Sequence, residues 1–257
     1  MFAQQKATLV FSSSLQGLLL ANSDIDVVVF TPAPAPPETT TPTRTTVFDE
    51  TFEDPEREHN LRILRTLRET LHKSGLPLQS SIRLVGEANV PVLKFVEKIT
   101  RIPVDVSVNN SHGMISTEII QNWIREYPPL RPVTLLIKHY VWRAGMNDTY
   151  TGGFGSYVIV NMVVFMFKQF PTLLEGPDIY AKTFICFLRY YGTLFNYRQY
   201  GISTIDNVAF KLSQDHRVWQ NPARAESVPF VVEDPTNRKR NVGKSASNAG
   251  TAIPFSL

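Results

Sequence analysis

The sequence predicts an α+β protein in two parts, a mixed strand-and-helix part up to Val108 and a mainly helical part after it. Two observations lead there. Short apolar runs that alternate with a period of two, bounded by Gly, Pro and polar residues, crowd the first part. From Ser116 onward apolar residues recur instead at helical spacing, in longer segments separated by Pro- and Gly-bearing loops. With 257 residues and 43% hydrophobic content the chain can build one large core or two modest ones, so a folded protein is expected.

Taken in order, Ala7–Phe11 reads as a short strand, Ser12–Ser14 as a polar turn, and Leu15–Leu20 as one or two helical turns ended by Asn22 and Ser23. A second strand, Asp24–Phe30, follows. Residues 31–46 are rich in Pro and Thr and have no periodicity, as in a flexible surface insertion. Asp54 can cap a helix that starts at Pro55, carries Leu61, Leu64, Leu67 and Leu71 on one stripe, and stops at Gly75. Ser81–Val85, Val92–Glu97 and Pro103–Val108 read as strands, the last two joined by a charged turn at Lys98–Arg101. By themselves these elements fit an α+β or an α/β arrangement.

The later helices are expected at Thr117–Arg125, Val133–Arg143, Ser156–Gln169 and Ile179–Leu194. Phe230–Val232 reads as a short strand, and Glu233–Lys244 as a polar loop. The implied division is 1–108 and 109–257. A single cysteine, Cys186, allows no disulfide framework and no cysteine-built zinc site, which suits a reducing intracellular compartment. The longest apolar run, Val158–Phe167, is about half of the ~20 residues that span a bilayer, and Met1–Leu9 lacks a signal-peptide pattern, so no membrane association is expected. A net charge of +3 is compatible with a polyanionic partner but does not require one.

The chemistry begins at Ser23-Asp24-Ile25-Asp26-Val27-Val28-Val29. Strand alternation puts Asp24 and Asp26 on one face and Ile25, Val27 and Val29 on the other. Asp is depleted in strands because a partly buried charge is costly without a partner, so an Asp pair opening an apolar strand calls for a cation. Mg²⁺ takes oxygen ligands and commonly one or two carboxylates plus substrate phosphates. Asp105 lies in a similar strand, with valines on the opposite face, and is a natural third ligand. An exposed strand end would also carry Asp-x-Asp, so the third carboxylate matters. The turn at Ser12, Ser13 and Ser14, between a strand and a short helix, offers backbone N–H groups and small hydroxyls to a phosphate, or simply a helix cap.

The string from Phe11 through Ser12, Ser13 and Gly17 to Ser23, Asp24 and Asp26 resembles the active-site block of the DNA polymerase β-like nucleotidyltransferases. More narrowly, it is similar to that of the noncanonical poly(A) polymerases of nuclear RNA surveillance, the catalytic subunits of TRAMP-type complexes. The similarity continues through Val90–Val96, Pro103–Ser107, Tyr127–Pro132, Tyr150–Tyr157, Glu233–Pro235 and Asn241–Ser245. It implies a polymerase β-like palm with a mixed sheet, then a helical poly(A) polymerase central domain with a base-recognition loop at 233–245. Relatives also carry helices before the first strand and a further helix after that loop, which these 257 residues do not match.

Carried over by position, the resemblance makes Asp24, Asp26 and Asp105 the catalytic metal ligands and Ser13 the triphosphate-binding serine, with Ser12 where the family has glycine. Lys138 matches a triphosphate-binding lysine, and Trp142 stands where some relatives have a second one. Ser156 and Tyr157 match the pair that binds phosphate and stacks on the base, and Ser116 and Thr117 fall where relatives contact the ribose. Glu233, Asp234 and Asn241 belong to base recognition, and Arg240 occupies the place of a histidine that selects uracil in uridylyl-transferring relatives.

The expected activity is therefore template-independent addition of AMP from ATP to an RNA 3′ end, by a mechanism with two Mg²⁺ (or Mn²⁺) ions. A terminal uridylyltransferase and an inactive scaffold of the same fold are the alternatives. The implied partners are an RNA 3′ end, a ribonucleoside triphosphate, and the zinc-knuckle RNA-binding protein and RNA helicase of a TRAMP-like complex. The implied compartment is the nucleus.

Overall fold

The computed structural model describes residues 8–11, 17–20, 23–31, 55–88, 90–110, 112–214 and 230–249. Within them the chain forms two units. One comprises Met1–Leu15 with Ala21–Met114, the other Gln16–Leu20 with Ile115–Leu257.

The first unit is a five-stranded mixed sheet crossed by one helix. Its strands are β1 (Thr8–Phe11), β2 (Ile25–Phe30), β3 (Arg83–Val85), β4 (Val92–Val96) and β5 (Pro103–Val108), in the spatial order β1-β2-β5-β4-β3. Only β2 and β5 run parallel. A parallel pair needs a long crossover, which here contains helix α1 (Pro55–Ser74). Proline at its first position, Glu56 and Glu58 in its first turn, and His72 and Lys73 in its last all agree with the helix dipole. Gly75, at φ +70°, ends it.

The leucine stripe of α1 sets which face of the sheet is buried. Leu64 and Leu71 pack with Leu93, Phe95, Val106 and Val108, supported by Val27, Val29 and Val104. These are alternate residues of β2, β4 and β5, so the residues between them, Asp26, Lys94 and Asp105, share the other face. The β4–β5 turn is fixed by Glu97, whose carboxylate accepts the Thr100 hydroxyl at 2.6 Å and the Thr100 and Ile99 amides at 2.6 and 3.0 Å. Those bonds, the Thr100 hydroxyl first among them, hold the Glu97 carboxyl down to about 2.

The second unit is built on α2 (His112–Glu126, whose first three residues fall in the first unit), α3 (Leu130–Arg143), α4 (Ser156–Gln169) and α5 (Ile179–Arg189). Helix α4 is its centre, since every residue from Val158 to Phe167 is buried. A helix that is apolar all round belongs inside a core, and this accounts for the long apolar run in the sequence. No helix of the described residues is long and apolar enough to cross a membrane. Asn161, fully buried in α4, donates to the Tyr157 carbonyl at 2.8 Å and accepts from the Thr204 hydroxyl at 3.3 Å.

Several expected elements take a different form. Gly17–Leu20 is irregular rather than helical, because Gly17 sits at φ +62°. The helix expected over Ile179–Leu194 stops at Arg189 and widens into a π turn, Tyr190–Leu194, inside a cluster of aromatic rings that includes Phe187, Tyr191, Phe195, Tyr197 and Phe230. A hairpin of β6 (Tyr200–Ser203) and β7 (Val208–Lys211) was not anticipated. The polar stretch after Val232 is not a loop: β8 (Glu233–Asp234) and β9 (Asn237–Asn241) pair as a second hairpin, followed by a 3₁₀ turn at Val242–Ser245. Of the strand expected at Phe230–Val232, only Val232 makes a bridge, to Ile202. The insertion at 32–46, Asp54 and the serine turn at 12–14 lie outside the described residues.

Candidate active site

The three aspartates come together. Asp26 lies opposite Asp105 in the parallel β2–β5 pair, and Asp24, two residues earlier, points to the same face. One carboxylate oxygen from each lies within 4.8 Å of the others. Asp24 is exposed, and the other two are half-buried. Like charges directly opposite one another on a sheet are destabilising, so such a cluster needs positive charge nearby. The protein supplies some itself: Lys94 lies opposite Asp105 in the antiparallel β4–β5 pair, and its Nζ forms an ion pair with Asp105 Oδ2. Three adjacent strands thus carry Asp26, Asp105 and Lys94 in one row. A set of hard oxygen donors this close suits a divalent cation such as Mg²⁺, with Asp24, Asp26 and Asp105 as the residues to hold it.

Lys94 is the residue that sequence reasoning passed over, although a signal for it exists. A turn at Lys98–Arg101 is centred between Ile99 and Thr100, and a hairpin folded there sets residue 94 against residue 105.

In the second unit, Lys138 donates to the Leu18 carbonyl at 2.6 Å, and Arg131 Nε donates to the Gly17 carbonyl at 2.9 Å. These two cations, seven residues apart on α3, strap the segment Gly17–Leu20 to the helices, with Leu18 buried in their core. Ser12 and Ser13 lie outside the described residues. Ser116 is half-buried on α2, and Thr117 is buried on the side of α2 that carries Ile120 and Trp123.

Ser156 is exposed at the first position of α4, and Tyr157 follows it. The Tyr157 hydroxyl donates to Asp234 Oδ1 at 3.2 Å. Burial, and then the negative charge of Asp234, push the Tyr157 phenol well above its ordinary value of 10, which keeps it a neutral donor. The same Asp234 oxygen accepts the Thr236 amide and hydroxyl at 2.9 and 2.8 Å, and Oδ2 lies 3.7 Å from Arg240 Nε. Glu233, fully buried, faces Arg238 at 3.8 Å. Arg238 and Arg240, both on β9, are therefore each answered by an acid. Asn241 is engaged by the main chain, its Oδ1 accepting the Val232 and Gly243 amides at 2.9 and 2.8 Å.

Comparison with known proteins points to one kind of protein. Residues 1–125 match the model of a "Poly(A) RNA polymerase, mitochondrial-like, central palm domain", and residues 180–240 that of the "Cid1 family poly A polymerase". The chain is thus similar to poly(A) RNA polymerases of this noncanonical kind in two stretches, one at each end of the matched region. The poly(A) RNA polymerase cid14 of Schizosaccharomyces pombe is 29% identical over 245 residues, which cover 92% of this chain and 31% of the relative. An inactive noncanonical poly(A) RNA polymerase protein of Drosophila melanogaster, Trf4-2, is 27% identical over 248 residues, covering 92% of this chain and 53% of that protein. The solved polymerase core of TRAMP, an RNA surveillance complex, superposes with a TM-score of 0.70 at 24% identity, over 96% of this chain and 69% of that one. The chain thus spans about a third of one of these curated relatives and about half of the other. The mixed sheet β1-β2-β5-β4-β3, with its acidic row, lies within the residues that the palm-domain model matches.

Proposed function

We propose that this chain is an RNA 3′-end nucleotidyltransferase that adds AMP from ATP to RNA. The observation that carries the reading is the convergence of Asp24, Asp26 and Asp105 on one face of the palm sheet. In this reading Asp24 and Asp26 hold two Mg²⁺ (or Mn²⁺) ions, and Asp105 holds one of them and orients the RNA 3′-hydroxyl. Bound there, the ions would neutralise the triphosphate and acidify that hydroxyl. The 3′-oxygen then attacks the α-phosphorus, a P–O bond to the RNA forms, and pyrophosphate leaves with the electron pair. Ser12, Ser13, Ser156 and Lys138 bind phosphates, Ser116 and Thr117 the ribose. Tyr157 stacks on the base, and Glu233, Asp234 and Asn241 set the hairpin that reads it. The likeness to a TRAMP polymerase core supports a zinc-knuckle RNA-binding protein and an RNA helicase as partners, and the nucleus as the compartment.

Primer extension on one RNA oligonucleotide with Mg²⁺ and each ribonucleotide in turn tests this. ATP should be incorporated in preference to the other three, and the Asp24→Ala/Asp26→Ala variant should make no product. Preferential use of UTP would make the chain a uridylyltransferase. No product from any nucleotide, with the fold intact, would put it beside the inactive relative Trf4-2.

A further inference from the structure

We infer that Lys94 is a built-in counter-cation, an ammonium that neutralises Asp105 when no metal is bound and competes with a divalent ion for that carboxylate. The inference rests on the metal reading given under Proposed function and adds to it a residue that sets the affinity of the ion.

The row of charges across the sheet carries it. Register alone fixes the order Asp26, Asp105, Lys94 on three neighbouring strands. Lys94 is anchored by its neighbours in β4, Leu93 and Phe95, which are buried against α1, so its side chain must emerge on the acidic face. There its Nζ meets Asp105 Oδ2, the carboxylate shared by the metal reading. Asp105 is only 18% exposed, so water screens it weakly, and Lys94, at 35%, is the more open partner. Three carboxylates with oxygens within 4.8 Å repel one another strongly without a cation, and one ammonium offsets part of that. The same ammonium repels an arriving divalent ion. Lys94 therefore stabilises the metal-free palm and weakens metal binding by that chain alone, so that the triphosphate's own charge is needed to load the site fully.

The test is a titration of the full chain with Mn²⁺ alone, read by calorimetry or by the Mn²⁺ electron paramagnetic signal, without nucleotide. Removing the charge with Lys94→Met should tighten Mn²⁺ binding about tenfold and lower the melting temperature of the metal-free chain. Lys94→Arg, which keeps the charge, should stay within about twofold of the original. Unchanged or weaker binding in Lys94→Met would overturn the inference and leave the metal site standing. If Lys94→Met does not fold without metal, recovery of the fold at saturating Mn²⁺ supports the inference, and failure to recover overturns it. Absence of Mn²⁺ binding in the original chain, or binding that persists in Asp24→Asn/Asp26→Asn, would sink the metal reading itself.

Discussion

Arg238 grips Asp206 by two contacts, Nη2 to Oδ1 at 2.5 Å and Nη1 to Oδ2 at 3.2 Å. It thereby ties β9 to the turn between β6 and β7, whose Thr204 holds Asn161 of α4, which in turn holds the Tyr157 carbonyl. The chain of contacts closes on itself through Asp234 and the Tyr157 hydroxyl.

Breaking the clasp should loosen the nucleotide side of the site without unfolding it. Arg238 and Asp206 are about half exposed, at 52% and 41%, so the pair contributes no more than ~1 kcal/mol. Asp206→Ala is expected to weaken ATP binding by up to about fivefold at low salt, and the difference should shrink in 1 M salt as screening removes the pair. ATP titrations of both proteins at two ionic strengths check this. An unchanged low-salt affinity would mean that the hairpin holds itself.

Tyr157 separates into a ring and a hydroxyl. Tyr157→Phe removes one bond to an oxygen that keeps two donors from Thr236, so unfolding free energy should fall by only about 1 kcal/mol and ATP affinity should barely move. Tyr157→Ala should lose the stack as well, ~1–3 kcal/mol, or roughly 5- to 150-fold in affinity. Equal losses in the two variants would show that the hydroxyl, not the ring, matters.

Alkali should unfold the helical unit. Burial pushes Tyr127 up to about 12 and raises Tyr157, Tyr190, Tyr191 and Tyr197, whereas phenols of the unfolded chain ionise near 10. Their contribution is complete below pH 10 and is lost as the pH climbs through 10 toward 12, since only the unfolded state then releases protons. Tyrosinate absorbance and helical circular dichroism should change together. Ionisation of these phenols ahead of unfolding would contradict the burial described above.

Gly153 and Gly17 resist a side chain for different reasons. A Cβ on Gly153 would lie 2.2 Å from the Met146 carbonyl oxygen, and one on Gly17 would lie 2.8 Å from Arg131 Cζ at a φ of +62°. Gly153→Ala should cost several kcal/mol because main chain must move, on the order of the largest single-residue losses. Gly17→Ala should cost about 1–2 kcal/mol, since the arginine can swing aside but the left-handed strain stays. Thermal melts rank the two, and the reverse order would show the Gly17 strap to be the stiffer structure.

The palm was legible because its signals are local. The stripe of α1 and the valines alternating with Asp26 and Asp105 each show a period within a few residues. Lys94 was missed because its meaning depends on register across a turn, not on its own neighbourhood. From sequence alone the hairpin β8–β9 reads as a loop because Asn237–Asn241 is wholly polar, and it is the pairing of the strands that brings Arg238 and Arg240 to the buried Glu233 and Asp234. The main-chain bonds of Lys138 and Asn241 are not legible locally, since Leu18 is 120 residues away from the lysine that binds it.

Helix α4, buried along ten consecutive residues, has a mechanical consequence. A rod gripped on every side cannot turn or slide without opening the core, so Ser156 and Tyr157 at its first turn are a fixed post. Under the proposed function, adjustment to the size of a base would fall to the hairpin β8–β9, which is held by the half-exposed Arg238–Asp206 pair and by Arg240 against the buried Asp234. Discrimination between nucleotides in this protein would thus be tuned by charges on a surface hairpin, and changed by substitutions that leave the core untouched.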